Sequence, residues 1–237
     1  MNIPVIAVGA VLGAGSALVY RQSLKAQKEF DYMQRMNASC NAVSHGVMAE
    51  LTGKAVPVAS SLKAPKSGKD CVYYRFKVER REAQHTKNGT SYSWVVISGS
   101  AEGVPFYLDD GTGKVLLDLS GAKDVDALKS FESVDGNPAV QGNVMGFNLS
   151  LGSQPMRYTE YCIPVGQQFY AMGLVKEDEN GRPHLVRPGD ERPFVVSCKS
   201  EEALKSERKG QAFWLKAGAA VLGIVSLALL YFGFTGK

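Results

Sequence analysis

Apolar positions crowd the two ends of the chain, whereas between them they alternate with polar ones. Ile3 to Tyr20, IPVIAVGAVLGAGSALVY, runs 18 residues without a charge, and Ala212 to Phe234 runs 23 with only Lys216. A bilayer core about 30 Å thick takes about 20 helical residues, so both runs predict transmembrane helices. Phe213 and Trp214 open the second run and Tyr231 and Phe232 close it, where interfacial aromatics belong. Lys216 lies a turn inside and can snorkel outward. No Lys or Arg precedes the first run, which argues against a secretory signal. Gly9 and Gly13 form a GxxxG step, and Ala219 with Gly223 repeats the small-residue spacing in the second run. Such faces let helices approach closely.

Both spans are expected to continue as stalks. No Gly or Pro interrupts Arg21 to Arg35, and Ser200 before Glu201-Glu202 reads as an N-cap with acids in the first turn. The helix it starts should run into the second span with an interruption at Gly210. The expected organisation is therefore 1–35 helix and stalk, 36–199 a β domain, and 200–237 stalk and helix. Positive charge near the spans is asymmetric. Arg21, Lys25, Lys28, Arg35, Lys199, Lys205, Arg208 and Lys209 flank the middle domain, against the terminal amine and Lys237 outside. By the positive-inside rule this predicts a cytoplasmic middle domain with both termini across the membrane.

The middle segment has the two-residue period of strands. Cys71 to Arg80 and Tyr92 to Ser98 read as a hairpin around Asn88-Gly89. Pro105 to Leu108 and Lys114 to Leu119 flank the turn Asp109-Asp110-Gly111-Thr112-Gly113, and further strands are read at 156–163, 168–175, 183–187 and 194–197. The predicted fold is mainly β, a compact barrel or sandwich held between two transmembrane helices. A short helix is expected at Val125 to Phe131, followed by a Gly/Asn-rich loop.

Composition narrows function chiefly by exclusion. The net charge of +4, from 27 Lys+Arg and 23 Asp+Glu, lacks basic runs interleaved with aromatics, so no nucleic-acid partner is expected. Four cysteines and three histidines contain no CxxC or HxxxH pair, and no metal or cofactor is expected. The Asp109–Gly113 turn has no Glu at the distance a calcium loop needs. His45, His85 and His184 fall in separate segments, and Asp124, Asp126, Glu132 and Asp135 read as a solvated loop. Cys40, Cys71, Cys162 and Cys198 fit either a disulfide framework or small buried hydrophobes; a nucleophilic role for Cys71, Cys162 or Cys198 is the enzymatic alternative. No catalytic residue is assigned.

Four segments together resemble the GIDE domain family, also called BAM, for "beside a membrane". They are Ala64 to Arg75 (APKSGKDCVYYR), Pro105 to Gly113 (PFYLDDGTG), Tyr158-x-Glu160-x-x-Ile163-Pro164-x-Gly166, and Phe194 to Glu202 (FVVSCKSEE). The resemblance implies a membrane-flanked β domain with a role in partner binding. Its best-known members are mitochondrial outer-membrane ubiquitin and SUMO ligases with a C-terminal RING finger, whose domain faces the intermembrane space; a domain in the periplasm or intermembrane space is therefore the alternative to the cytoplasmic placement. Here the sequence ends three residues after the second span without a RING, so ligase activity is not carried over. The expectation is a membrane-anchored scaffold binding a protein or lipid partner, with self-association left open; the alternative is a substrate-recognising ligase component working with a RING on another chain. Candidate interaction or structural residues are Arg75, Glu160, Tyr74, Gly9 and Gly13. The alternation puts Tyr74 and Phe76 on one face and Arg75 on the other, outward, unless Arg75 reaches a buried Glu160 as an ion pair.

Overall fold

A computed structural model describes residues 2–35, 38–86, 89–119, 125–136, 142–144, 147–149 and 155–235. Asn88, Asp124, Lys237 and most of the Gly/Asn-rich loop, named above, lie outside the described residues. The chain divides into a helical unit, which includes residues 188–193, and a β unit.

In the helical unit, α1 (Ile3–Arg35) and α2 (Glu201–Thr235) are each continuous. Gly210 does not interrupt α2, contrary to expectation, because a single Gly costs only about 1 kcal/mol in a helix interior. At 1.5 Å per residue both exceed the roughly 30 Å hydrocarbon core, leaving several turns beyond the apolar runs. Ser200 caps α2 as expected, its Oγ accepting from Ala203 N at 3.3 Å. The helices pack as an antiparallel hairpin. Ser226 Oγ donates to Gly9 O (2.7 Å) and Ser16 Oγ to Ala219 O (2.8 Å). A Cβ built at Gly13 would stand 2.9 Å from Ser226 Oγ, and one at Gly9 would stand 3.0 Å from Leu230. The small residues therefore set the interhelical distance. Near the start of the second apolar run Lys216 Nζ donates to Gln27 Oε1 (3.0 Å), and before that run Arg208 pairs with Glu29 (2.9 Å).

The β unit contains a closed five-stranded barrel and a second, open sheet. The barrel comprises β1 (Met48–Pro57), β5 (Phe106–Asp109), β6 (Lys114–Leu117), β12 (Pro183–Val186) and β11 (Gln168–Glu177), closed by antiparallel pairing of β1 with β11. Strand β13 (Val195–Ser197) adds to β11. Side chains fill the interior of so small a barrel. Leu51, Leu108, Leu117, Phe169 and Leu185 are buried there, with Phe106 edge-on to Phe169 at 5.6 Å. Gly53 permits the close crossing of β1 and β5, since a Cβ there would sit 2.6 Å from Asp109 O.

The open sheet runs β4 (Gly89–Gly103), β3 (Asp70–Thr86), β10 (Met156–Pro164), β7 (Leu128–Asp135), with β2 (Leu62–Lys63) on the start of β3. Val72, Tyr73 and Ile163 join it to the barrel core. Strand β7 overturns the expected helix at 125–131. Its apolar residues serve pairing with β10 rather than a helical face. A separate ladder joins β8 (Gly142–Val144) to β9 (Phe147–Leu149).

The Asp109–Gly113 turn is a structural lock. Asp110 accepts from Thr112 N (2.8 Å), Thr112 Oγ1 (2.7 Å), Gly113 N (3.2 Å) and, across the fold, Cys40 N (2.8 Å). Burial opposes its charge, but these donors outweigh it and hold the carboxyl well below the usual range. These bonds make the carboxylate part of the turn's own framework and tie the turn to Cys40.

Candidate functional site

Two features of the open sheet stand out: a buried carboxylate latch on one face and a basic, aromatic surface on the other. The latch is Glu160. Its side chain is fully buried on β10 and gathers four donors: Lys66 N (2.6 Å), Ser67 N (3.2 Å), Ser67 Oγ (2.6 Å) and Ser130 Oγ (2.6 Å). Ser130 sits where β7 slips register against β10, so the irregularity turns its hydroxyl toward Glu160. Burial alone would raise the carboxyl's pKa; the serine hydroxyls and backbone amides reverse that and lower it. The latch ties the 64–69 loop to the sheet, and Lys66 Nζ then rests over Phe76 (5.9 Å) and Tyr158 (5.5 Å).

Arg75 does not pair with Glu160. Register places Phe76 opposite Glu160 and Tyr161 opposite Arg75, on opposite faces of the sheet. The bridging ion pair is therefore excluded; Arg75 lies half-buried with its guanidinium 5.0 Å from the Tyr161 ring. Arg75→Ala should cost only about 0.5–1 kcal/mol in thermal denaturation, the scale of one exposed cation–π contact. Tyr74 is buried beside Ala64, Cys71 and Cys162, and its hydroxyl donates to Glu102 Oε2 (2.7 Å). Burial, with Glu102 beside it, pushes its pKa up to about 12.

The other face shows Arg75, Lys77, Glu79 and Arg81 on β3, with Arg157 and Tyr161 on β10. Glu79 is buried at its centre and accepts from Arg157 Nε (2.7 Å) and Lys77 Nζ (3.1 Å), which hold its pKa down. Arg157 also lies 4.7 Å over Trp94 and Arg81 4.2 Å over Tyr92, both rings on β4. On β7, Lys129 pairs with Glu132 at 2.8 Å. Five cations stand against two carboxylates here. Tyr92 (60% exposed), Val96 (58%) and Val134 (57%) add uncovered apolar surface to the same face. The alternating charges of Cys71 to Arg81 carried a signal for this surface that the reading of Arg75 alone passed over. Trp94 and Arg157 join it only through strand register.

The four cysteines are free thiols; Cys40, Cys71 and Cys162 are buried and Cys198 is partly so. Burial foremost pushes Cys40, Cys71 and Cys198 up to about 12 and raises Cys162 as well. A nucleophilic cysteine needs the reverse shift. Iodoacetamide at pH 8 should therefore alkylate the four thiols roughly a hundredfold more slowly in the folded chain than after denaturation, read by mass spectrometry. His45 and His85 are exposed, and His184 lies on β12 opposite Lys176. Among the described residues no cluster of His, Cys, Asp and Glu could hold a metal ion.

The architecture is that of a β domain flanked by two helices long and apolar enough to cross a membrane. The family model for GIDE, described as E3 ubiquitin ligase, matches residues 76–231, well over half the chain. The chain belongs to this family. The match takes in three of the four segments noted in the sequence, while Ala64 to Arg75 precedes it. Among curated proteins, E3 ubiquitin-protein ligase SPL1 of Arabidopsis thaliana is 27% identical over 158 residues, covering 62% of this chain and 46% of that protein. The chain thus matches less than half the length of this relative. No solved structure matches it.

Proposed function

We propose that this protein is a membrane-anchored binding protein whose β domain holds a protein partner beside the bilayer. The observation that carries this reading is the exposed face of the open sheet, where aromatic rings, arginines and uncovered valines share one surface. Aromatics and arginine are the side chains most enriched in binding hot spots. Glu160 serves that surface indirectly, by tying together β10 and β7, two of the strands that carry it.

Photo-crosslinkers at Val96 and Val134 in native membranes test this, with exposed Val165 in the β10–β11 turn as control. A defined set of proteins captured from the first two and not the third supports the reading. Capture of labelled lipid alone, or of nothing, overturns it.

Family membership favours a second reading, in which the bound protein is a substrate for ubiquitin transfer. Adding the full-length chain to a reconstituted conjugating system should then increase ubiquitin transfer to the crosslinked protein. No increase with that protein in hand would remove the ligase reading and leave the binding one.

The charge asymmetry supports a cytoplasmic β domain with both termini across the membrane. Impermeant thiol labelling of intact cells should modify a cysteine appended after Lys237 and spare one at Asn88. Labelling at Asn88 alone reverses the orientation.

A further inference from the structure

We propose that the outer edge of β4 docks an extended acidic segment of a partner protein, which adds to the open sheet as a further strand. This rests on reading the exposed face as the binding surface. Strand β4 pairs with β3 along nearly its whole length, and among the described residues no strand pairs its other edge. Edge strands are normally guarded by charge or proline. Thr90 to Val96 has neither. The slip in register between β3 and β4 lies at Val78/Glu79, beyond that stretch, so Thr90 to Val96 is a regular run of backbone donors and acceptors.

Charge identifies the occupant. The guanidinium groups of Arg81 and Arg157 do not stay over their own strands; they lie over the rings of Tyr92 and Trp94 on β4 itself. Those rings are two residues apart, so they share a face at a spacing of about 7 Å. An added strand presents its own alternate side chains at the same spacing, one strand further out. Carboxylates at two such positions would meet the two guanidinium groups, and an apolar residue at the next would cover Val96. Excess positive charge across the face, five cations to two carboxylates, favours the same sign of ligand. Pairing of β4 with β4 of a second copy would set these cations against their counterparts. An anionic bilayer would satisfy the charge but makes no use of an uncharged, unpaired strand edge.

The full-length chain in phosphatidylcholine nanodiscs is titrated with a fluorescent decapeptide of alternating glutamate and valine. Comparison peptides replace glutamate with lysine, or carry N-methyl groups on alternate amides in either phase. The glutamate peptide should bind saturably, and the lysine peptide should not. Affinity should fall about tenfold or more on Arg81→Glu, since a like charge replaces the attraction. It should fall similarly for at least one N-methylated form, which keeps the charges and loses the ladder. Thermal denaturation of Arg81→Glu checks that the fold survives; the peptide series tests the wild-type chain regardless. No binding of the glutamate peptide, equal binding by all N-methylated forms, indifference to Arg81→Glu, or a dimer joined through β4 overturns the proposal. So does binding of anionic vesicles without the glutamate peptide. If the peptides fail while a crosslinker at Val134 still captures a protein, only the edge inference falls. If Val96 and Val134 both capture nothing, the functional reading falls with it.

Discussion

Glu160→Ala is expected to destabilise the β domain by roughly 3–5 kcal/mol, the range for breaking one side of a buried charged network. The two serine hydroxyls and two backbone amides that donate to this carboxylate would lose it together, in a site closed to water. For a domain of this size that corresponds to a fall in melting temperature of about 10 °C, measurable on the full-length chain in detergent. Glu160→Gln tests charge separately. It keeps the shape and one acceptor oxygen but turns an NH₂ toward donors, so part of the loss should remain. The sign of the pH dependence follows from the lowered pKa. A carboxyl ionised more readily in the folded state stabilises fully above its unfolded pKa, near 4.5, and that stabilisation is lost as pH falls through the folded value. The stability gap between wild type and Glu160→Gln should thus be constant near neutrality and narrow below about pH 4.5. A gap that persists unchanged at pH 3, or a loss under 1 kcal/mol for Glu160→Ala, would show that the latch does not hold the loop.

The same latch shows which parts of this fold were legible in the sequence. Glu160 stood out because a charge between Tyr158 and Tyr161 in an apolar strand must face water or find partners. Its partners were not legible, since Lys66 and Ser67 lie on a loop and Ser130 at a slip in strand register. Only the tertiary fold brings them together. Strands rich in Val, Tyr and Phe, such as β3, β10 and β11, were readable from composition and period. Strand β1 was not: Met-Ala-Glu-Leu-Thr-Gly-Lys-Ala has low strand propensity, and its pairing with β11 bridges more than a hundred residues. The sequence pattern ends this strand at Arg80 and leaves Arg81 to Thr86 in the connection, yet they are strand because β4 pairs with β3 as far as Gly89. Strand β7 carries a helical signal in sequence, since Leu128 and Phe131 stand at helical spacing over a segment too short to decide. The helices were the clearest reading, being defined by local hydropathy alone.

Their contact can be tested as sharply as the latch. Gly13→Leu is expected to weaken the helical hairpin by roughly 2–3 kcal/mol, combining overpacking with loss of interhelical hydrogen bonds. A Cβ at Gly13 already meets Ser226 Oγ at 2.9 Å, and that hydroxyl donates to Gly9 O at 2.7 Å. The leucine side chain would therefore displace the serine from its acceptor and part the helices around Ser16 and Ala219. Gly13→Ala should cost less, because the end of one flexible side chain can turn aside. Gly15 is the internal control: nothing lies within 4 Å of a Cβ there, so Gly15→Leu should leave the hairpin intact. Pyrene labels on Asn2→Cys and Phe234→Cys report the contact, since Asn2 N donates to Gly233 O at 2.8 Å and the native thiols are shielded. Excimer emission in lipid should survive Gly15→Leu, decline with Gly13→Ala and be largely lost with Gly13→Leu. Equal emission from all three would mean that other contacts hold the helices together and that the glycine step is incidental to their pairing.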